Sequence, residues 1–435
     1  MMHLSAHYKI LQKKILNFRL ILVCFAAASV GLPIAILSIA KTLLLISGAA
    51  ILLYGLIGKK FEVTAVNPKS ITVGVTVILG LFALSLVWTT AATADALSSL
   101  GKYGKLLVIP VIVLLLKSRR EAIYALGFFL TAQICLMLSS WMLFFQLPVP
   151  WATSSPVSRP FHAVFSSYLD QGIMAAVLAA LCWHLRKLAP GRFGPPLAVA
   201  LAVVSMANVF FVLSGRSGHA VGIALISLAI MWELPRRYKV GVFLMPVLLV
   251  SALMFISPTV KQRIATVQTE VSEFSFSKGV SVNSGNSSGI RLHFWHRAVQ
   301  SISQNPVLGA GLGSWSSEFN RLNKQENAVA ETIAPLGNPH QEYLLWGVQL
   351  GIPGIVLLIG FLLAMYRDTL PMAVEARRSA QSVVLALAIA GLFNSILYDA
   401  LIGDFFCVVL GLVFAFGYRD LTAHPSDPAS HPQPV

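Results

Sequence analysis

Charge is what this sequence has least of. Only 11% of its 435 residues are ionised side chains, and just 17 are acidic against 32 basic. With 56% hydrophobic residues and a mean hydropathy of +0.76, the chain has too little polar surface for a water-soluble domain of this length. It also lacks a Walker loop, a dinucleotide fingerprint and a Ser-His-Asp order, which argues against nucleotide-driven chemistry and triad hydrolysis. Cysteine is scarce. Cys24, Cys135, Cys182 and Cys407 lie in apolar runs without a C-x-x-C pair, and they read as buried small hydrophobes. No internal repeat is present.

Long apolar runs, by contrast, recur along the chain. They predict an all-α, polytopic integral membrane protein with about twelve spans, near 18–40, 43–57, 71–92, 104–116, 122–146, 167–184, 196–213, 219–233, 240–257, 341–366, 380–397 and 402–417. The first run follows Lys9, Lys13, Lys14 and Arg19 as in a signal peptide, but it is too long for one and reads as an uncleaved span. With the N-terminus inside, twenty of the 32 basic residues fall in inner segments. The short outer loops hold only Lys41, Lys102, Lys105, Arg159 and Arg216. Both termini are therefore expected in the cytoplasm. The net charge of +15 reads as anchoring to anionic membrane lipids, and nucleic acid is not an expected partner.

The layout divides into a nine-span region (1–257), an outer helical loop or lid (258–339), a three-span region (340–417) and a cytoplasmic tail (418–435). Within the lid, Ile264, Val267, Val271 and Phe274 have helical spacing, as do Leu292, Trp295, Val299 and Ile302. Ser281 to Gly289 reads as a flexible connector, Gly309, Gly311 and Gly313 as a loose turn, and Trp315, Phe319 and Leu322 as the start of another helix.

Polar chemistry gathers at the outer rim, and the middles of the spans carry almost no charge. Asn338-Pro339 reads as a helix cap followed by a first-turn proline, which places His340 in the first turn of a membrane helix. The positive end of that helix disfavours imidazolium, so His340 is expected to be neutral and able to accept a proton; a bare hydrating role is the alternative. Arg216, in Ser214-Gly215-Arg216-Ser217-Gly218, suits a phosphate ligand, or else a snorkelling arginine paired with lipid phosphate. Arg291 opens a helix, where a cation invites an anion, and Arg297 lies two turns on. Asp399 orients an arginine or an acceptor hydroxyl, or caps a helix. Arg159 and Tyr343 are further candidate supporting residues. His293 and His296 lack the partners a metal needs, so neither metal nor cofactor is expected.

Three stretches carry a family resemblance: Ser214 to Gly218, Arg291 to Trp315 with its Asn305-Pro306-Val307-Leu308-Gly309-Ala310-Gly311-Leu312-Gly313 run, and Asn338 to Tyr343. In these the chain resembles the O-antigen ligase family, within the wider ligase and polymerase superfamily, over about residues 210–360. The resemblance implies transfer of O-antigen polysaccharide from undecaprenyl diphosphate to lipid A–core. It places the reaction on the periplasmic side of a bacterial inner membrane, without nucleotide or metal. It makes His340 the essential histidine, Arg216 and Arg291 the essential arginines and, with little matching sequence around it, Asp399 an accessory acid. The nearest alternative is an O-antigen polymerase. A lipid-linked sugar flippase or other transporter is disfavoured, because transporters place ionisable groups near mid-membrane and show paired repeats.

Overall fold

A computed structural model describes residues 17–57, 69–272, 287–326 and 337–423, apart from 236, 239, 240, 242 and 243. Phe274 and most of the Ser281–Gly289 connector lie outside the described residues. Among the described residues there are helices and turns and no strand. Seven helices among the described residues are long and apolar enough to cross a membrane. They are α2 (Ile34–Ile57), the joined α4 (Thr93–Tyr103) and α5 (Val108–Leu115), α6 (Arg119–Phe144), α7 (Tyr168–Leu185), α8 (Gly194–Ala207, prolonged by a π-turn), α15 (Ile352–Thr369) and α17 (Ala400–Ala423). α1 (Asn17–Ser29) and α3 (Lys69–Ser85) are apolar but shorter, and α9 (Arg216–Glu233) and α16 (Val374–Ala390) fall outside that class. α10 (Met245–Ile256) and α11 (Pro258–Ser272) reach it only as a pair bent by 106°. Three further helices complete the described fold: α12 (Ser287–Gln304), α13 (Trp315–Glu326) and α14 (Glu342–Leu350). Of the twelve expected crossings, length and composition by themselves support seven.

Two helices form the axis of the bundle. In α17, 94% of the most apolar stretch is buried inside the protein, and in α7 72%, whereas in α2 the share is 22%. A helix apolar on every face must meet either protein or lipid. α7 and α17 meet protein, and α2 lies at the periphery. α6, α8, α9 and α16 surround α7, while α2, α5, α6 and α16 surround α17.

Several breaks fall where hydropathy does not put them. Pro33 closes a turn over residues 30–33, so the first break precedes Lys41 rather than surrounding it. Proline lacks the N–H that would continue α1. Lys41 instead sits within α2 and reaches Asp404 at 2.7 Å. Asp404 lies inside α17, and Lys105 is buried too. The interior therefore holds charge, against expectation, and the pairing of Lys41 with Asp404 makes this tolerable. The span expected over 341–366 is two helices, parted at Gly351, whose φ of 70° suits glycine. The last turn runs over residues 391–399, seven residues earlier than expected at its start.

The lid also differs from its sequence reading. Along α12 the buried face is His293, Phe294, Arg297, Ala298 and Ser301, while Val299 is exposed. The predicted stripe is rotated by about one residue, because His293, Arg297 and Ser301 find partners in Asn323 and Glu318 of α13 and outcompete hydropathy for the interior. Gly309, Gly311 and Gly313 form a tight wedge, not a loose turn. All three have positive φ, and Ala310 N and Gly311 N donate to Val348 O and Gln349 O. On the other side Thr89 Oγ1 donates to Leu312 O, and Leu312 N to Ser85 Oγ.

Charged side chains fasten the end of the bundle opposite His340. Arg19 donates to Glu121 and to Leu115 O, and Arg419 Nε to Leu116 O at 2.9 Å. Arg378 and Arg186 both reach Glu233. These contacts join α1, the end of α5, α6 and α17 in one clasp, and α7, α9 and α16 in another.

Candidate active site

His340 precedes its helix instead of lying in the first turn. Asn338 Oδ1 accepts from His340 N at 2.9 Å, a turn that competes with helix initiation, and His340 takes a left-handed φ of 53°. The N-cap of α14 is Gln341, whose side chain accepts from Leu344 N. His340 Nδ1 stands 3.1 Å from Asn394 Oδ1. An amide oxygen only accepts, so Nδ1 carries the proton and Nε2 keeps its lone pair. Burial lowers the imidazole pKa, the Asn394 bond opposes that, and the charge of Arg291 lowers it further. The ring is therefore neutral for a different reason than the helix end. Phe294 of α12 lies over it, ring centres 6.4 Å apart and tilted by 26°.

Arg291 sits in the second turn of α12 rather than at its start. Burial, and then the nearby Arg216, push its pKa down, opposed by Tyr168 and Glu270. Among the described residues its guanidinium has no hydrogen-bond partner. Arg216 opens α9, and its Nη1 donates to Ser288 Oγ at 2.6 Å and reaches Glu270 Oε2 at 3.3 Å. Among the described residues Glu270 pairs with Arg216 and also acts on Arg291, and it was not singled out in the sequence. The small residues around Arg216 serve packing, not open access to a ligand. A β-carbon on Gly215 would lie 3.0 Å from Tyr168 O, and one on Gly218 would lie 2.9 Å from Gly172.

Asp399 belongs to the same site through Asn338, whose Nδ2 donates to Asp399 Oδ1 at 2.9 Å. Burial pushes the Asp399 carboxyl up to about 6, opposed by Lys105, Lys102 and the Asn338 bond. The whole 391–399 turn is stitched to residues 338–342. Gln341 N donates to Ser395 Oγ, Glu342 N to Gly391 O, and Leu397 N to the Glu342 carboxylate at 2.8 Å. Glu342 also accepts from Trp346 Nε1 at 2.7 Å. Sequence reasoning missed Asn394, Ser395 and Glu342; the polar Asn-Ser pair inside an apolar run was the available signal.

Other candidates lie elsewhere or do something else. The Tyr343 hydroxyl donates to Ala388 O, which ties α14 to α16 rather than lining the site. Arg297 is buried between α12 and α13, donating to Asn323 and Gln300. Arg159 donates to Ala152 O within its own loop. His219 Nε2 lies 3.0 Å from Val209 O and 3.2 Å from Leu213 O, carbonyls at the π-turn. His293 packs edge-on against Phe319, and no group of three or more metal-holding side chains occurs among the described residues.

Against known protein families, residues 201–359 match the family described as O-antigen ligase. The match runs from α8 into α15 and includes Arg216, Arg291 and His340, but not Asp399. Comparison with curated proteins gives no match. Over residues 201–359 the chain is thus similar to the O-antigen ligase family.

Proposed function

We propose that the protein is an O-antigen ligase of a bacterial inner membrane, a glycosyltransferase that moves O-antigen polysaccharide from undecaprenyl diphosphate to lipid A–core. One observation carries the reading. A histidine with Nδ1 committed to Asn394 lies in the field of Arg291, and Arg291 lies in turn in the field of Arg216 and of Glu270, which pairs with Arg216. Such a site has a base and surplus positive charge, which are the two things that transfer from a lipid diphosphate requires. The acceptor hydroxyl oxygen attacks the anomeric carbon as its proton passes to His340 Nε2. The bond to the diphosphate breaks, and its electron pair leaves on the oxygen that Arg216 and Arg291 neutralise. Direct displacement inverts the anomeric carbon. In this reading all twelve crossings form, both termini are cytoplasmic, and residues 258–339 cover the site on the periplasmic face.

The test is a deletion strain complemented with the wild-type gene or with His340→Ala, read on lipopolysaccharide gels. The expected result is a bare core with accumulated long lipid-linked polymer, repaired by the wild type and not by the variant. Core capped with a single repeat unit would move the assignment to polymerase. Repair by an inserted His340→Ala protein would remove the general base.

A further inference from the structure

The turn that carries Asn394 and Asp399 is held from two sides. Glu342 grips one side by accepting from Leu397 N. The other side rests on a buried charge. Lys105 is 3% exposed, and its ammonium donates to Asp399 O at 2.5 Å and to Ala400 O at 3.4 Å. It reaches them through a gap that Gly403 leaves open. A β-carbon there would lie 2.7 Å from the Lys105 Nζ and 2.8 Å from Ile396 O. An ammonium at the start of α17 opposes the positive end of that helix, so its placement is costly. Asp404, the next residue after the gap, supplies negative charge, and it pairs with Lys41 at 2.7 Å. Ionisable groups inside a membrane bundle are expensive and belong by default to function.

We propose that Lys105 is a positioning residue for the acceptor side of the site. Seated over Gly403, it fixes the backbone of Asp399, and through Asn338 and Asn394 it sets where His340 faces the acceptor sugar. Asp404 offsets part of its charge, and Lys41 competes for the same carboxylate. The proposal rests on the transferase reading above. It also gives the interior charge a role that a simple membrane anchor would not need.

Lys105→Met keeps the apolar stem and removes the charge. Gly403→Ala keeps every charge and pushes the ammonium away from the turn. Full-length proteins in nanodiscs are assayed for binding of undecaprenyl diphosphate, and for transfer against rising lipid A–core purified from a ligase-deficient strain. Both variants are expected to lose about 10²-fold in acceptor kcat/KM, a loss of the size that slight misplacement produces. Undecaprenyl diphosphate binding should be unchanged, because Arg216 and Arg291 are untouched. The double variant should be no worse than the poorer single one, as for two changes to one contact. Wild-type acceptor kinetics in Gly403→Ala overturn the proposal, as does loss of donor binding in step with acceptor kinetics in both variants. Absence of transfer by the unmodified protein would overturn the transferase reading and this proposal with it, whereas normal transfer confines any failure to the proposal alone.

Discussion

A histidine that takes a proton from a sugar hydroxyl must start neutral, and in His340 the burial of the ring sees to that. Its pKa lies below the ordinary 6.5, so under the proposed role the acid limb of the transfer rate is expected to have its midpoint below that value. Asn394→Asp would set a carboxylate against the Nδ1 proton and favour imidazolium. The limb should then move up by about one unit or more, measured as initial rate across about pH 5 to 8. An unmoved limb would show that Asn394 does not hold the ring. Asp399 gives a second pH prediction. Its carboxyl rises from 3.8 to about 6 in the folded protein because burial disfavours the charge. The proton is thus bound more tightly in the native state. The stability this contributes is complete below about pH 4 and is lost as pH rises through about 6, an effect of up to ~3 kcal/mol. Asp399→Asn should therefore melt higher than the parent at neutral pH, with the gap closing on acidification. A gap that does not change with pH would contradict the burial argument.

Helices and turns show a different pattern of legibility. α7, α8 and α9 begin and end within a few residues of where hydropathy puts them, because each is one uninterrupted apolar run. The helix pairs broken at Pro33 and Gly351 are misplaced, since an apolar run stays apolar across a kink. Asn338 illustrates the same limit. Asn-Pro before a helix resembles a cap, yet the Asn338 side chain instead closes a turn onto His340 N and leaves capping to Gln341. The glycine wedge was readable as three glycines but not as tight, because its partners at Thr89 and Val348 are distant in sequence. Gly311→Ala places a β-carbon against Thr89 at a φ of 86°, so a loss of about 1–3 kcal/mol in stability is expected. Gly360→Ala, with nothing within 4 Å, serves as the control. Equal thermal melts in detergent for the two variants would mean that the wedge does not constrain the lid.

For the molecule as a whole, the charge distribution makes a claim about sidedness. The Arg19–Glu121 and Arg378–Glu233 contacts gather at one end, and His340, Arg291 and Asp399 at the other. The basic end is expected in the cytoplasm. In a variant with the four cysteines replaced, a single cysteine at exposed Lys324 should react with a membrane-impermeant maleimide in cells with a permeabilised outer envelope. One at exposed Arg192 should not. Labelling at 192 and protection at 324 would invert the topology and move the site to the other side.

The sequence alone determined the helical class and the membrane setting and singled out His340, Arg216 and Arg291 as candidates, because apolar run length and local motifs are properties of contiguous residues. Tertiary structure decided everything that depends on distant partners. It brought Asn394 to His340 across 54 positions, and Glu270 to Arg216 across another 54. It drew Lys41 out of an expected loop to meet Asp404, 363 residues away. Hydropathy cannot see such pairs, since a buried charge reads as a break until its counter-charge is in place.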